Sequence, residues 1–198
     1  EFKMGAVLSF LREVARSPKK VGAFGPSSPF LADATVAAAD VREGHTVVEL
    51  GAGTGVITRA ILDVVQPSSL LSVEPNPEMA MFLRERFSDL TVDERYAQDL
   101  PDIVSQWGHD SVDRVVSGLP WTLWPLELQE QVADAIVSVL KPDGRMVTFV
   151  YATSRLFASS RRAHGLLQQR FERVERCKIT WANLPPAAVI VCEGPKIH

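Results

Sequence analysis

Three glycines at alternate positions, preceded by an acidic residue, are the strongest chemical signal in the sequence. The run Gly51-Ala52-Gly53-Thr54-Gly55 follows Glu49 and Leu50. Glycine lets a backbone turn tightly and approach a ligand where a Cβ would collide. The spacing differs from the dinucleotide fingerprint G-x-G-x-x-G, and no lysine follows as a phosphate-binding loop requires. Because Glu49 would repel a pyrophosphate, the segment predicts a site for a cationic or hydroxyl-rich ligand.

Two further acidic residues follow predicted strands. Glu74 lies 23 residues after Gly51, near the spacing of ~20 residues at which an acid bonds ribose hydroxyls. Glu49 and Glu74 each end a strand with the glycines between them, which favours ligand binding over a solvated charge. Gln98-Asp99 follows the third strand, where Asp99 is equally compatible with an adenine contact and with an ordinary loop charge.

The fourth predicted strand runs into Ser117-Gly118-Leu119-Pro120-Trp121, which has the chemistry to hold an amine. Proline fixes the backbone so that carbonyls point into a pocket, where they accept hydrogen bonds from an amine. Trp121 supplies a wall or a π-face for a cationic product, whereas a cover for the core is its alternative and the favoured reading of Trp124. Tyr151 is a candidate to orient or deprotonate the amine, or equally a tyrosine at the edge of the core.

These residues need a sheet whose strands bring their carboxyl ends to one edge, and the chain alternates strands with helices as such a sheet requires. Strands are predicted at Thr46–Leu50, Leu70–Glu74, Leu90–Arg95, Val112–Ser117, Arg145–Tyr151, Val174–Trp181 and Ala187–Cys192. Helices are predicted at Met4–Arg16, Phe30–Ala39, Val56–Val65, Pro77–Phe87, Leu126–Leu140 and Ser154–Gln169. No helix separates the last two strands, so we expect an α/β, doubly wound sheet of seven strands that ends in an antiparallel edge hairpin.

The segment Glu49–Gly55 with Glu74 and Asp99 resembles the cofactor site of class I S-adenosylmethionine-dependent methyltransferases. The resemblance implies a Rossmann-like sheet with one antiparallel edge hairpin, in agreement with the strands above. It also implies S-adenosylmethionine as methyl donor, S-adenosylhomocysteine as product, and in-line attack by a neutral amine. The implied cofactor contacts are Glu49, Gly51, Ala52, Gly53, Thr54, Gly55, Glu74, Pro75, Gln98, Asp99 and Ser117.

More narrowly, the sequence resembles soluble bacterial phospholipid N-methyltransferases, which are related to rRNA adenine dimethylases. The matching stretches are Val21–Ser28, Val48–Gly55, Val73–Glu78, Ser117–Pro120, Phe149–Ala152 and Asn183–Ala187. The resemblance implies N-methylation of phosphatidylethanolamine and its methylated intermediates towards phosphatidylcholine, with Ser117–Trp121 as the catalytic segment. Tyr151 stays a catalytic candidate because of its place at the end of a strand. An rRNA dimethylase usually has Asn-Leu/Ile-Pro-Tyr/Phe here and a C-terminal helical domain, which is not expected in this chain. RNA adenine N6-methylation, methylation of another small amine and a non-catalytic binding module are the alternatives.

Length and composition indicate one ordinary globular unit. The 198 residues are 46% hydrophobic and 23% charged, which excludes disordered and fibrous classes. The two cysteines give no disulfide framework or metal-ligand pair, and no apolar stretch reaches the ~20 residues of a membrane span. We expect residues 1–40 to form an amphipathic helix and lid segment, and residues 41–198 to form the methyltransferase domain.

The net charge of −3 hides two basic segments. Residues 1–20 hold five basic and two acidic residues, residues 155–178 hold seven and two, and the remainder has a net charge of −11. A basic helix at Met4–Arg16 predicts binding to an anionic membrane surface, with a lid on the domain as the alternative.

We therefore expect a cytoplasmic protein, peripheral on the inner face of the cytoplasmic membrane, that binds a phospholipid headgroup. Nucleic acid is not expected as a partner, although RNA phosphates would attract the same side chains. The candidates for membrane or substrate contact are Lys19, Lys20, Arg155, Arg161 and Arg162.

Overall fold

A computed structural model of the chain describes residues 28–152, 158–181, 183 and 185–196. Its helices are α1 (Pro29–Ala38), α2 (Val56–Leu62), α3 (Pro77–Arg86), α4 (Leu100–Gln106), α5 (Leu126–Val139) and α6 (Ala158–Arg170). Its strands are β1 (Val47–Leu50), β2 (Leu70–Val73), β3 (Thr91–Asp93), β4 (Val112–Ser117), β5 (Leu140–Tyr151), β6 (Phe171–Thr180) and β7 (Ala187–Pro195). The predicted helix Met4–Arg16, together with Lys19, Lys20 and Arg155, lies outside the described residues.

The seven strands form one sheet in the order β3-β2-β1-β4-β5-β7-β6. Strands β1 to β5 are parallel, and β7 is antiparallel to both of its neighbours. The predicted doubly wound sheet and its terminal hairpin are therefore confirmed. Leu50 lies opposite Val73 on one side and Ser117 on the other. These residues, with Tyr151 and Thr180 at the ends of β5 and β6, mark what we call the carboxyl edge.

The core lies in two layers, one on each face of the sheet. One layer joins α4, α5 and α6 to the sheet and includes Leu128, Val132 and Phe171. The other lies under α1, α2 and α3 and includes Leu31 and Ile61. Apolar burial of this kind contributes roughly 25 cal/mol per Å², so the two layers fix the sheet and hold its carboxyl edge in place. Among the described helices, none combines the length and apolar character that a membrane crossing requires.

Two elements differ most from the sequence prediction, and the bounds of several others shift by a few residues. The helix α4 was not predicted, because its seven residues bury only Leu100, Ile103 and Val104 and give too short an apolar pattern. Strand β5 begins at Leu140 rather than Arg145, since Leu140 pairs with Val112 before the register shifts. Neither difference moves a strand end at the carboxyl edge.

Candidate functional site

The glycine loop joins β1 to α2 at the centre of the carboxyl edge. Its three glycines have φ of +74° at Gly51, +52° at Gly53 and +75° at Gly55, a left-handed backbone that other residues rarely adopt. A Cβ on Gly55 would lie 2.7 Å from Phe87 Cε2, so this glycine serves packing. A Cβ on Gly53 would meet nothing within 4 Å. The backbone at Gly53 therefore borders open space.

Glu49 lies beneath the loop and is only 1% exposed. Its Oε2 accepts hydrogen bonds from Thr58 Oγ1 at 2.7 Å and Ser72 Oγ at 2.8 Å. Its Oε1 is buried without a hydrogen-bond donor among the described residues. Burial raises the pKa of Glu49 to about 7, against the lowering effect of Thr58 and Ser72. An unpaired buried acceptor is costly, so a cationic or N–H-bearing ligand group would supply what the protein lacks there.

Glu74 connects the glycine loop to the turn that follows β2. Its Oε2 accepts from the Gly53 backbone N–H at 2.9 Å, and its Oε1 accepts from the Asn76 N–H at 3.0 Å. Burial raises its pKa, while these two backbone bonds act in the opposite direction. Each carboxylate oxygen can accept a second hydrogen bond. Glu74 can thus hold the loop and still bind a ligand hydroxyl.

The remaining predicted cofactor residues lie around these two glutamates. Gln98 and Asp99 are half-buried in a single 3-10 turn, Ala97–Asp99, which follows β3. The Asp99 side chain makes no capping bond to α4. Pro75 is half-buried directly after Glu74. Because β2 and β3 are adjacent and parallel, their ends bring these residues to the same edge as the glycine loop.

The predicted substrate segment packs directly on the glycine loop. The Gly118 N–H donates to the Leu50 carbonyl at 2.8 Å. A Cβ on Gly118 would lie 2.9 Å from the Gly51 carbonyl oxygen, and one on Gly51 would lie 3.0 Å from Leu119 Cδ2. The structure therefore brings the segments 51–55 and 117–120 together, as the sequence predicts.

Trp121 occupies a different place from the one predicted. Its ring is 2% exposed, packs 5.8 Å from that of Trp124, and belongs to the core under α5. The indole Nε1–H donates to Ser117 Oγ at 3.1 Å. Because Trp121 and Trp124 are both buried, both cover the core, and Trp121 does not form a pocket wall in this structure.

Gln129 is a site-supporting residue that sequence reasoning missed. It is fully buried on α5, and its Nε2 donates to the backbone carbonyls of Trp121 at 2.8 Å and Trp124 at 3.0 Å. It thereby holds the turn that follows the substrate segment. The available signal was an amide side chain within the apolar stripe of a predicted helix, next to Leu128.

Tyr151 ends β5 and is half-buried, with its ring edge-on to Phe149 at 5.7 Å. Thr148, three residues earlier, pairs with Ser117, so Tyr151 lies about 10 Å further along the strand direction at ~3.3 Å per residue. Burial raises the pKa of Tyr151. Its hydroxyl is therefore protonated at neutral pH and suits orientation of a substrate better than proton abstraction.

The structure divides the basic residues of segment 155–178. Arg170 is paired with Asp134, and Arg173 with Glu193. Arg161 and Arg162 are exposed on the first turns of α6, and no ion pair within the described segments involves either one. Of the predicted membrane or substrate contacts, these two are the ones whose surroundings are described.

Comparisons with known proteins match the chain to methyltransferases. The family model described as a methyltransferase domain matches residues 47–144. The chain is 36% identical over 195 residues to an ornithine lipid N-methyltransferase of Singulisphaera acidiphila, covering 94% of this chain and 95% of that protein. It is 32% identical over 84 residues to a chloroplastic ribosomal RNA small subunit methyltransferase of Arabidopsis thaliana, covering 42% of this chain and 24% of that protein. Among solved structures, an S-adenosylmethionine-dependent O-methyltransferase of Thermotoga maritima superposes with a TM-score of 0.65 at 18% identity. That match covers 86% of this chain and 66% of the other, and it concerns the fold alone.

Proposed function

The chain belongs to the class I S-adenosylmethionine-dependent methyltransferases and is an N-methyltransferase, and from this premise we propose that it methylates the amine of a lipid headgroup. The observation that carries the proposal is the 36% identity to an ornithine lipid N-methyltransferase over nearly the full length of both chains. The similarity to an RNA methyltransferase spans 42% of this chain and supports the shared cofactor domain rather than an RNA substrate.

Two headgroups are candidates for the acceptor. Ornithine lipid is the first, because the full-length relative carries that activity in its name. Phosphatidylethanolamine and its methylated intermediates are the second, because the segments Ser117–Pro120 and Asn183–Ala187 resemble those of phospholipid N-methyltransferases. Both present an amine on a lipid, so one assay compares them.

The residues around the glycine loop fit the methyl donor. When bound, S-adenosylmethionine supplies an electrophilic methyl group to the acceptor amine. The unpaired Glu49 Oε1 offers an acceptor to a cationic or N–H-bearing group, and Gly53 leaves space above the backbone. The carboxylate of Glu74 offers lone pairs to hydroxyl groups. We assign the donor to Glu49, Gly51, Ala52, Gly53, Thr54, Gly55, Glu74, Pro75, Gln98, Asp99 and Ser117.

We assign the acceptor amine to the backbone of the neighbouring segment Ser117–Trp121. The buried Ser117 side chain supports this segment, because its Oγ accepts from the Trp121 indole N–H. Gly118 and Leu119 contact the glycine loop, so an amine held there lies beside the donor site. Holding two reactants in alignment supplies a large part of the rate in such transfers. Tyr151, which keeps its phenolic proton because burial raises its pKa, orients the headgroup.

We further propose that the protein works at the inner face of the cytoplasmic membrane. The predicted basic helix Met4–Arg16, with Lys19, Lys20 and Arg155, would supply attraction to anionic lipid. Arg161 and Arg162 support the same role because both are exposed in the structure.

The test is transfer of a labelled methyl group from S-adenosylmethionine to separate acceptors. The acceptors are vesicles containing ornithine lipid, vesicles containing phosphatidylethanolamine, vesicles of phosphatidylcholine alone, and ribosomal RNA. We expect label in the ornithine lipid, in phosphatidylethanolamine, or in both, and none in phosphatidylcholine. Label in RNA without label in either aminolipid would overturn the proposal.

A further inference from the structure

The carboxyl edge bears exposed apolar side chains on both faces of the sheet. The described residues include seven exposed large apolar side chains. Four of them lie at this edge and form what we call the apolar rim: Phe30, Leu123, Leu126 and Trp181. Phe30 and Trp181 are the most exposed of the seven, at 63% and 75%. Apolar side chains that are exposed together at one edge are the kind of surface that binds a protein or a membrane.

Hydrogen bonds join the start of α1, where Phe30 lies, to the β6–β7 connection, where Trp181 lies. The Ser28 backbone N–H at the start of α1 donates to Asn183 Oδ1 at 3.0 Å, and Asn183 Nδ2 donates to the Pro185 carbonyl at 2.6 Å. Asn183 is buried. Phe30 thus lies at the end of α1 that meets the β6–β7 connection, in which Trp181 comes directly after β6. The bond between Ser28 and Asn183 thus fixes the backbone close to both aromatic residues.

The other two members of the rim lie across the sheet. Leu123 ends the short turn that follows the substrate segment, and Leu126 begins α5. Gln129 holds this turn through the Trp121 and Trp124 carbonyls. The apolar rim therefore flanks the substrate segment from both faces of the sheet.

The chemistry of the rim points to a lipid surface. Aromatic side chains concentrate where apolar and aqueous regions of a membrane meet. Four separate apolar side chains around an opening suit a laterally continuous surface better than a peptide groove would. Arg161 and Arg162 lie in the first turns of α6, which starts at the same edge, and their exposed charges complement anionic headgroups.

We infer that the apolar rim, Phe30, Leu123, Leu126 and Trp181, is a membrane-docking surface that sets the carboxyl edge onto a bilayer containing anionic lipid. A headgroup amine then reaches the segment Ser117–Trp121 while the acyl chains of the same lipid stay in the bilayer. This use of the surface rests on the proposed function, whereas the docking itself is measured without methyl transfer.

The direct test is flotation of the protein with vesicles in the absence of a methyl donor. Phe30→Ser and Trp181→Ser should each lower the partition coefficient about tenfold, because each removes most of one aromatic contact with the bilayer. The double variant should lose about a hundredfold. Phe82→Ser is the matched control, since Phe82 is exposed on α3, which contacts β3 at the opposite side of the sheet from β6. Thermal unfolding of each variant shows whether the fold is retained.

The charge contribution is measured separately. Arg161→Gln with Arg162→Gln should weaken binding to vesicles of phosphatidylcholine mixed with phosphatidylglycerol, and salt should abolish this difference. Binding to vesicles of phosphatidylcholine alone should not change. Equal binding of the double arginine variant and the parent to the anionic vesicles would remove the charge argument and contradict docking onto anionic lipid.

The outcomes separate docking from catalysis. If the Phe30 and Trp181 variants bind vesicles as the parent does, the docking surface is overturned, even where aminolipids are methylated. If they instead dissociate an oligomer with unchanged vesicle binding, the rim is a contact between copies and the inference also fails. If no aminolipid is methylated and the variants still lose vesicle binding, docking stands and the proposed substrate falls. A short-chain aminolipid dispersed below its micelle concentration should be methylated equally by variants and parent.

Discussion

Thr58 Oγ1 donates a 2.7 Å hydrogen bond to Glu49 Oε2, and this bond holds the first turns of α2 against the end of β1. Both side chains are buried. The glycine loop lies between these two residues along the chain, so the bond closes the loop at its base.

We predict that Thr58→Val destabilises the protein by about 1–2 kcal/mol, because a typical hydrogen bond contributes ~0.5–1.5 kcal/mol and one to a charged group ~1.5–3 kcal/mol. It should also weaken binding of S-adenosylmethionine. Urea unfolding and titration calorimetry measure the two effects. Thr58→Ser retains the hydroxyl and should stay closer to the parent in both. A valine variant as stable as the parent would show that the hydrogen bond contributes little.

The raised pKa of Glu49 predicts a pH dependence of stability. The folded-state pKa, about 7, lies above the ordinary glutamate value of 4.5, so between these pH values the folded protein holds a proton that the unfolded chain has lost. Stability from this group is therefore present at low pH and is lost as pH rises towards 7. Glu49→Gln removes the titration. Between about pH 5 and about pH 8, the parent should lose up to about 3 kcal/mol relative to the variant.

Urea unfolding at both pH values, without S-adenosylmethionine, measures this difference. Glu85→Gln changes an exposed glutamate on α3 and serves as the control. A difference between parent and Glu49→Gln that stays constant with pH would contradict a buried carboxylate with a raised pKa.

Alanine substitutions at Gly53 and Gly44 distinguish the cost of backbone strain from the loss of ligand contact. Gly53 and Gly44 both have positive φ, and an added Cβ would meet nothing within 4 Å at either one. Alanine should therefore cost about 1 kcal/mol of stability at each position. Gly53→Ala should in addition weaken S-adenosylmethionine binding at least about tenfold, since its methyl group enters the space assigned to the cofactor. If calorimetry gives the two variants equal affinity for S-adenosylmethionine, the cofactor does not bind next to Gly53.

Gln129 should affect kcat, because it positions the turn at Trp121–Trp124 that follows the substrate segment. Gln129→Leu leaves two buried carbonyls without their donor, at a cost of about 1–3 kcal/mol. We expect kcat to fall while the affinity for S-adenosylmethionine is retained, because the hydrogen bonds of Gln129 go to the turn at Trp121 and Trp124. Gln131→Leu, half-exposed on the same helix, is the matched control. A parallel loss of cofactor affinity would indicate a general loss of the fold instead.

The pH dependence of kcat distinguishes an orienting role of Tyr151 from a role as general base. Burial raises its pKa, so its hydroxyl does not ionise in the neutral range and Tyr151→Phe should lower kcat without shifting the pH–rate curve. Loss of one limb of the curve in this variant would make Tyr151 a general base. The measurement needs the aminolipid that the transfer assay identifies.

The sequence predicted the sheet because its signals were local. Alternating apolar runs and glycines at strand ends need no knowledge of the partner strand, and so Leu50, Val73 and Ser117 were placed correctly at one edge. The contact of Gly51 with Gly118 followed from the topology of parallel strands. The location of Glu49 at the end of β1 was likewise readable, whereas the Thr58 and Ser72 hydroxyls that bind it were not.

The burial of Trp121 was not readable from the sequence. An indole can cover a core or line a pocket with the same neighbours along the chain, and the distinction depends on the packing of α5. The bonds from Gln129 were missed for a related reason, since they join α5 to carbonyls of the preceding turn and have no local motif. The proposed docking surface likewise has no local signal, because it involves a hydrogen bond between Ser28 and Asn183, which are 155 residues apart in the sequence.

The close approach of Gly118 to the Gly51 carbonyl has a consequence for how relatives of this protein can diverge. A side chain at position 118 would require the backbone at 51 to retreat, because its Cβ would lie 2.9 Å from that oxygen. Such a retreat would move the loop that holds the methyl donor. A substitution at position 118 therefore requires an adjustment at position 51, although the two positions lie 67 residues apart in the sequence.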